Sequence, residues 1–308
     1  MIRSKGFTLA EMAVAVVILA LLLFGAMVPF SSQLEIRNVA ETRRTLDSTR
    51  DAIIGFAQAN GRLPCPANGN LAAGSANAGV EQFDGTKCVA ALGSGVLGVV
   101  PWVTLGTAET DAWGHRLTYR VSPAFADAVA LTTWNSLKNA YAPPPGGYLA
   151  QAQTATQSPA DQSPKCDLKV APTLSSFALC TLGDIAVFTR TVSSAAPLGS
   201  ALPALFISHG KNGRGAWQPN GVQLPAPAAG TDEAANVNGN VNAPISSGIA
   251  YIQSAFFSRS PTPGAGGCSD PAPGVAGGGS PLCEFDDIVV TISSSALVAR
   301  TVAAGRLP

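Results

Sequence analysis

Nineteen consecutive residues, Met12 to Phe30, carry no charge and no strongly polar side chain. As a helix they reach about 28 Å, close to the thickness of a bilayer's hydrocarbon core. A cleaved secretory signal would need a small-residue cleavage site beyond the apolar stretch, and Ser31-Ser32-Gln33-Leu34-Glu35 offers no Ala-x-Ala pattern. Arg3 and Lys5 precede the run with no comparable positive excess directly after it. That asymmetry predicts a cytoplasmic amino terminus and an exported remainder. One acid, Glu11, lies at the edge of the run, where a carboxylate at bilayer depth is costly and calls for a partner.

Lys5-Gly6-Phe7-Thr8-Leu9-Ala10-Glu11 followed by the apolar run resembles the prepilin cleavage and methylation motif of type IV pilins and type II secretion pseudopilins. The resemblance implies a leader at 1–6, cut after Gly6 by a prepilin peptidase that N-methylates the new terminus, Phe7. It also implies that Glu11 pairs with the terminal amine of a neighbouring subunit. The physics agrees: a carboxylate and an ammonium in low dielectric offset each other's desolvation, whereas either alone is heavily penalised. Implied partners are the peptidase, other pilin or pseudopilin subunits, and an inner-membrane assembly platform with its ATPase. In this family the outermost tip subunit dispenses with the acid, so Glu11 favours a position below the tip.

Past the membrane, Leu34, Val39, Leu46, Ile53, Ile54 and Ala57 form an apolar stripe at near-helical spacing. Arg37 with Glu41 and Arg43 with Asp47 support a wet opposite face. Pro29 is expected to kink or locally melt the helix. Asn60-Gly61 followed by Pro64 is a stop signal, so the helix is expected over 7–60, with a membrane segment at about 12–30.

The rest, 61–308, is expected to be an exported β-rich head. Short apolar runs bounded by turns predict strands at Val96–Val103, Arg116–Val121, Asp184–Thr191, Ala204–His209 and Asp287–Ser293. Asp111-Ala112-Trp113-Gly114 through Tyr119 resembles a segment that opens a hairpin in pseudopilin heads, with an aromatic pair available to the core. Lys211-Asn212-Gly213 is a tight-turn signature with Trp217 on its return side. Asn68–Ala78, Ala150–Ser163 and Thr231–Asn242 are small and polar stretches expected as surface insertions. The expected fold is α+β and pilin-like: a long helix, half in membrane and half amphipathic, packed on a mostly antiparallel sheet with large insertions. Such a head fits a low-copy minor subunit.

Six cysteines fall into three local couples, Cys65/Cys88, Cys166/Cys180 and Cys268/Cys283, with no Cys-x-x-Cys among them. Such gaps suit disulfides in an oxidising compartment better than a metal cluster. Pairing of neighbours is preferred among the 15 connectivities that six cysteines allow. Each short loop contains Gly or Pro turns, and closing about 15 residues is worth about 3 kcal/mol in the chain-entropy picture.

Charge excludes one class of partner: 19 Lys+Arg balance 19 Asp+Glu, leaving no basic field for nucleic acid. Catalytic motifs are missing too, with no Gly-x-Ser-x-Gly elbow, phosphate loop or His-Glu-x-x-His helix. The only histidines, His115 and His209, are expected to be packed or solvated rather than catalytic. Asp286-Asp287 and Asp232-Glu233 offer oxygen ligands that suit calcium, an ion that the resemblance to pseudopilin heads leaves open; no ligand loop has recognisable spacing, so both are expected as solvated acidic pairs and no other cofactor is expected. The sequence therefore points to a non-enzymatic filament subunit held in the inner membrane with its head in the periplasm, or outside the cell once assembled. The alternatives are a pilus-borne adhesin with its insertions as recognition loops and, last, an anchored periplasmic enzyme.

Overall fold

The computed structural model describes residues 8–89, 97–128, 134–135, 140–141, 174–177, 181, 183–191, 195–239, 254–271 and 279–307. The side chains of 22–32, 134–135 and 140–141 lie outside that set. So do the expected leader, Cys166, Cys180 and the insertion Ala150–Ser163.

One helix, α1, spans Leu9–Asn60, 52 residues. It opens on a capping box, in which Thr8 and Glu11 satisfy each other's backbone N–H groups, and closes at Gly61 in the left-handed conformation that glycine adopts without a Cβ penalty. Pro29 does not end it. A proline removes one intrahelical bond, and the helix runs on past it to Asn60. Among the described residues no helix is long and apolar enough to cross a membrane; within the expected span Met12–Phe30, the side chains of 22–30 lie outside the described set.

The head-facing stripe is Thr42, Leu46, Thr49, Ile53 and Ala57, all fully buried, at spacings of three and four residues. Two threonines thus occupy positions that hydropathy alone misses, while Leu34 is 46% exposed. Ion pairs on the wet face join Arg50 to Asp47 and Asp51, instead of the expected Arg37–Glu41 and Arg43–Asp47.

The first sheet is four-stranded and antiparallel, ordered β1 (Leu97–Val99), β2 (Thr118–Val121), β7 (Ala204–Ser208), β9 (Ile288–Ile292). A hairpin pairs β3 (Trp134–Asn135) with β4 (Ala140–Tyr141). The second sheet is ordered β6 (Ala195–Leu202), β5 (Ile185–Arg190), β8 (Ser254–Phe257), and its β5–β8 pair is parallel. The expected strand from Val96 stops at Val99, because Trp102–Leu105 turns into a short helix, α2. Another, α3, covers Pro123–Ala126. The remaining described helices are α4 (Asp232–Asn238) and α5 (Ser294–Ala303).

These elements stack in layers. Ala204 and Phe206 of β7 join Leu46, Ile53, Tyr119, Phe125 and Phe177 in the cluster beneath α1. Leu205 and Ile207, pointing the other way by strand alternation, join Ile185, Val187 and Phe256 between the two sheets. Ala186 and Phe188 then meet Ala235, Phe257 and Phe285 beneath α4. Thr231–Asn242 is therefore not a surface insertion over its described part: it caps a short helix that covers the second sheet. Asn68–Ala78 is mostly exposed, but Arg116 ties its base through bonds to the Gly69 and Leu71 carbonyls at 2.8 and 2.7 Å. Tyr119 enters the core and Trp113 stays half-buried.

The carboxyl end returns to α1. Arg306 donates to the carbonyls of Gln58 and Ala59, two of the acceptors that a helix terminus leaves open, and Leu307 packs into the same cluster as Leu63.

Beside α3, burial pushes the Asp127 carboxyl up to about 7; Lys87 opposes the shift and Asp84 adds to it. The folded chain therefore binds this proton more tightly than the unfolded chain, and Asp127 makes stability fall as pH rises from about 4 to about 7. Asp127→Asn should gain on the wild type across that window and hold a constant advantage above it. Urea midpoints of both proteins at pH 4.5 and pH 8 check this, and a pH-independent difference refutes it.

Candidate functional site

The amino-terminal site is built on the first turn of α1. Glu11 stands at its third position, and its Oε2 accepts from the Thr8 amide at 2.8 Å and the Thr8 hydroxyl at 2.9 Å. The acid thus also favours the positive end of the helix dipole. Following it, Met12, Val14, Val16, Val17, Ile18, Leu19 and Leu21 are each more than half exposed, a continuous apolar surface that no other described residue covers. Gly6 and Phe7 lie outside the described residues.

Residues 1–27 match the family model of the prokaryotic N-terminal methylation motif. This is the prepilin signal of type IV pilins and pseudopilins, and it covers those residues alone. No curated protein and no solved structure matches the chain. The prepilin signal supports a pilin-like or pseudopilin precursor, a structural subunit rather than an enzyme, and implies peptidase processing and assembly with other pilins.

Behind the prepilin signal, the described part of the head holds two disulfides between sequence neighbours. Cys65 bonds Cys88 with Cα atoms 5.3 Å apart, and Cys268 bonds Cys283 at 4.9 Å. Cys166 and Cys180 lie outside the described residues.

The two acidic pairs are not solvated. Asp232 is 1% exposed, where it accepts from Arg190 and Arg259, each at 2.8 Å. Its neighbour Glu233 points elsewhere and meets Asp286 and Asp287, with one ligand-type atom from each of the three carboxylates within 4.8 Å of the others. Helix geometry explains the split, since adjacent side chains diverge by about 100° around the axis. Burial, followed by the charge of Asp287, pushes Glu233 up to about 7, and burial likewise raises Asp286. His209 is fully buried beside this cluster. Burial, the largest single influence, would lower its pKa, but the carboxylates of Asp287, Asp111 and Glu233 together outweigh it and raise it. His115 instead sits half-buried, its Nδ1 3.2 Å from the Gly210 carbonyl oxygen.

Sequence reasoning missed this convergence because Glu233 and Asp286 are 53 residues apart. The available local signal was Thr231-Asp232-Glu233, a capping threonine followed by acids, which marks a helix start.

Proposed function

We propose that this chain is a minor subunit of a type IV pilus or type II secretion filament. A prepilin peptidase cuts it after Gly6 and methylates Phe7, and Met12–Phe30 holds it in the inner membrane with a periplasmic head until assembly. The single observation that supports this reading is the prepilin signal running straight into an exposed apolar helix surface. Such a surface is stable only in lipid or against neighbouring helices, and a filament core offers the second environment in place of the first.

Cleavage adds a second term. It creates an ammonium at Phe7, four residues from Glu11 and so within one helical turn. Once lipid or protein surrounds both, each needs an opposite charge, and a neighbouring subunit in register supplies it.

Mass spectrometry of the native protein tests the proposal: a methylated terminus at Phe7 is expected, and a terminus at Met1 or well beyond residue 30 overturns it. Changing Gly6 should leave the leader attached. Glu11→Ala should still insert in the membrane yet lose incorporation into filaments, scored by shearing and immunoblotting. Normal incorporation of that variant would remove Glu11 from the assembly step.

A further inference from the structure

The chain contains five Asn-Gly pairs, beginning at Asn60, Asn68, Asn212, Asn220 and Asn238. Such a pair can react with itself: the glycine nitrogen attacks the asparagine Cγ, and glycine has no Cβ to obstruct the approach. Sequence treats the five alike. Exposure would favour Asn60, Asn220 and Asn238, which are open to solvent, over Asn68 and Asn212, which are half-buried.

The hydrogen bonds rank them differently. A glycine nitrogen whose N–H is held by a carbonyl must break that bond and turn before it can attack. Gly61 donates to the Ala57 carbonyl at 2.8 Å, Gly213 to that of His209 at 3.0 Å, Gly221 to that of Gln218 at 2.9 Å and Gly239 to that of Ala235 at 2.8 Å. Gly69 donates to no described residue.

Asn68 is set for the reaction on its own side as well. Its Oδ1 accepts from the Asn70 amide at 3.1 Å, which folds the side chain back over the Asn68–Gly69 peptide and draws electron density from Cγ. Its Nδ2, the group that must leave, has no partner among the described residues. By contrast, Nδ2 of Asn60 donates to the Phe56 carbonyl at 2.9 Å, and that of Asn212 to Glu233 at 3.0 Å. Packing keeps the glycine in place, because a Cβ at Gly69 would fall 2.7 Å from the Trp217 ring.

We propose that Asn68-Gly69 is a self-modifying site, which converts in the folded chain to a succinimide and then to aspartate or isoaspartate. The Gly69 nitrogen gives its proton to hydroxide and bonds Cγ. The Cγ–Nδ2 bond breaks, and the nitrogen takes a proton from water and leaves as ammonia. A second water then opens the ring at either carbonyl, with no change of oxidation state. Both products carry a carboxylate in place of the amide. Isoaspartate also adds a carbon to the main chain just before the Gly69 carbonyl, which Arg116 holds at 2.8 Å, so it loosens the base of Asn68–Ala78. The proposal is independent of the filament reading, because it concerns the head alone and its readout does not involve assembly.

The test holds the full chain in detergent for several weeks in mildly alkaline water enriched in heavy oxygen, both folded and in guanidinium after reduction. Digestion by an acid-active protease and tandem mass spectrometry then locate the oxygen gained at each pair. In the folded chain, label at residue 68 should accumulate roughly tenfold faster than at any of the other pairs, the rate effect of one retained hydrogen bond. In guanidinium the five should convert at comparable rates. Asn68→Gln, which would have to close a larger ring, should gain no label at 68 and leave the other pairs as they were. A folded chain in which residue 68 stays unlabelled, or gains label no faster than the exposed Asn60, Asn220 and Asn238, overturns the proposal. An equal lead for residue 68 in guanidinium overturns it too, since the fold would then play no part.

Discussion

Asp232→Ala is expected to lower the stability of the head by about 3–5 kcal/mol, the usual cost of stranding a buried charge. Asp232 is the hub of a network with almost no access to water. Arg190 grips it with three bonds of 2.8–3.0 Å, and Arg259 adds a fourth at 2.8 Å. Both arginines also lie over aromatic rings, Arg190 4.8 Å from the Phe257 centroid and Arg259 4.5 Å from that of Phe285. Without Asp232, two guanidiniums that are 1% and 2% exposed would be left with one carboxylate, Asp270, which lies 3.5 Å from Arg259.

The damage should spread, because Arg259 also donates to the Cys283 carbonyl, and Asp270 accepts from the Cys283 amide. Asp232 thereby joins Arg190 of β5 to Arg259, which holds the backbone of the Cys268–Cys283 disulfide. Chemical unfolding of wild type and variant measures the effect. Asp47→Ala, which removes the exposed partner of Arg50, should change stability by less than about 1 kcal/mol. Equal effects of the two substitutions would show that the buried network contributes no more than a surface pair.

Gly61→Ala should cost about 2–5 kcal/mol, combining left-handed backbone strain with overpacking. Gly61 ends α1 at φ +70°, and a Cβ there would fall 2.0 Å from the Leu174 carbonyl oxygen, a backbone atom that no rotamer change can move aside. The same glycine receives the Ser176 amide on its carbonyl at 2.8 Å, so the clash falls where residues 174–177 dock against the helix end. Gly106 separates the two contributions. It also caps a helix in the left-handed region, at φ +67°, and a Cβ added to it would meet nothing within 4 Å. Gly106→Ala should therefore cost only about 1 kcal/mol. Urea midpoints of the two variants check the difference, and equal losses would exclude the steric contribution at Gly61.

Both positions bear on what was legible in the chain. Asn60-Gly61 announces a helix end in any context, and α1 stops there. That residues over a hundred positions downstream press on this glycine has no local signature. The strands at 118–121, 185–190, 204–208 and 288–292 fall inside apolar runs that can be read directly. β6 and β8 carry no such signal: β6 contains Pro197 and Gly199 and has half its residues exposed, while Ser254-Ala255-Phe256-Phe257 is too short to declare a period. Expecting Thr231–Asn242 on the surface fails because it equates polarity with solvation. Asp232, Glu233 and Asn236 are buried because each finds partners from other elements, which composition does not encode.

The sequence alone determined the prepilin signal, the apolar surface behind it, the length of α1 and its stop, because each rests on contiguous residues and rules that act over a turn or two. Tertiary structure alone decided which way each buried strand residue faces. Leu205-Phe206-Ile207 carries no alternation, and only its place between α1 and a second sheet sends Phe206 one way and its neighbours the other. Tertiary structure also decided that acids 53 residues apart converge beside His209. Desolvation depends on what surrounds a group in space, so a carboxylate that would be ordinary on the surface becomes, through its neighbours alone, a hub of ion pairs or a candidate ligand.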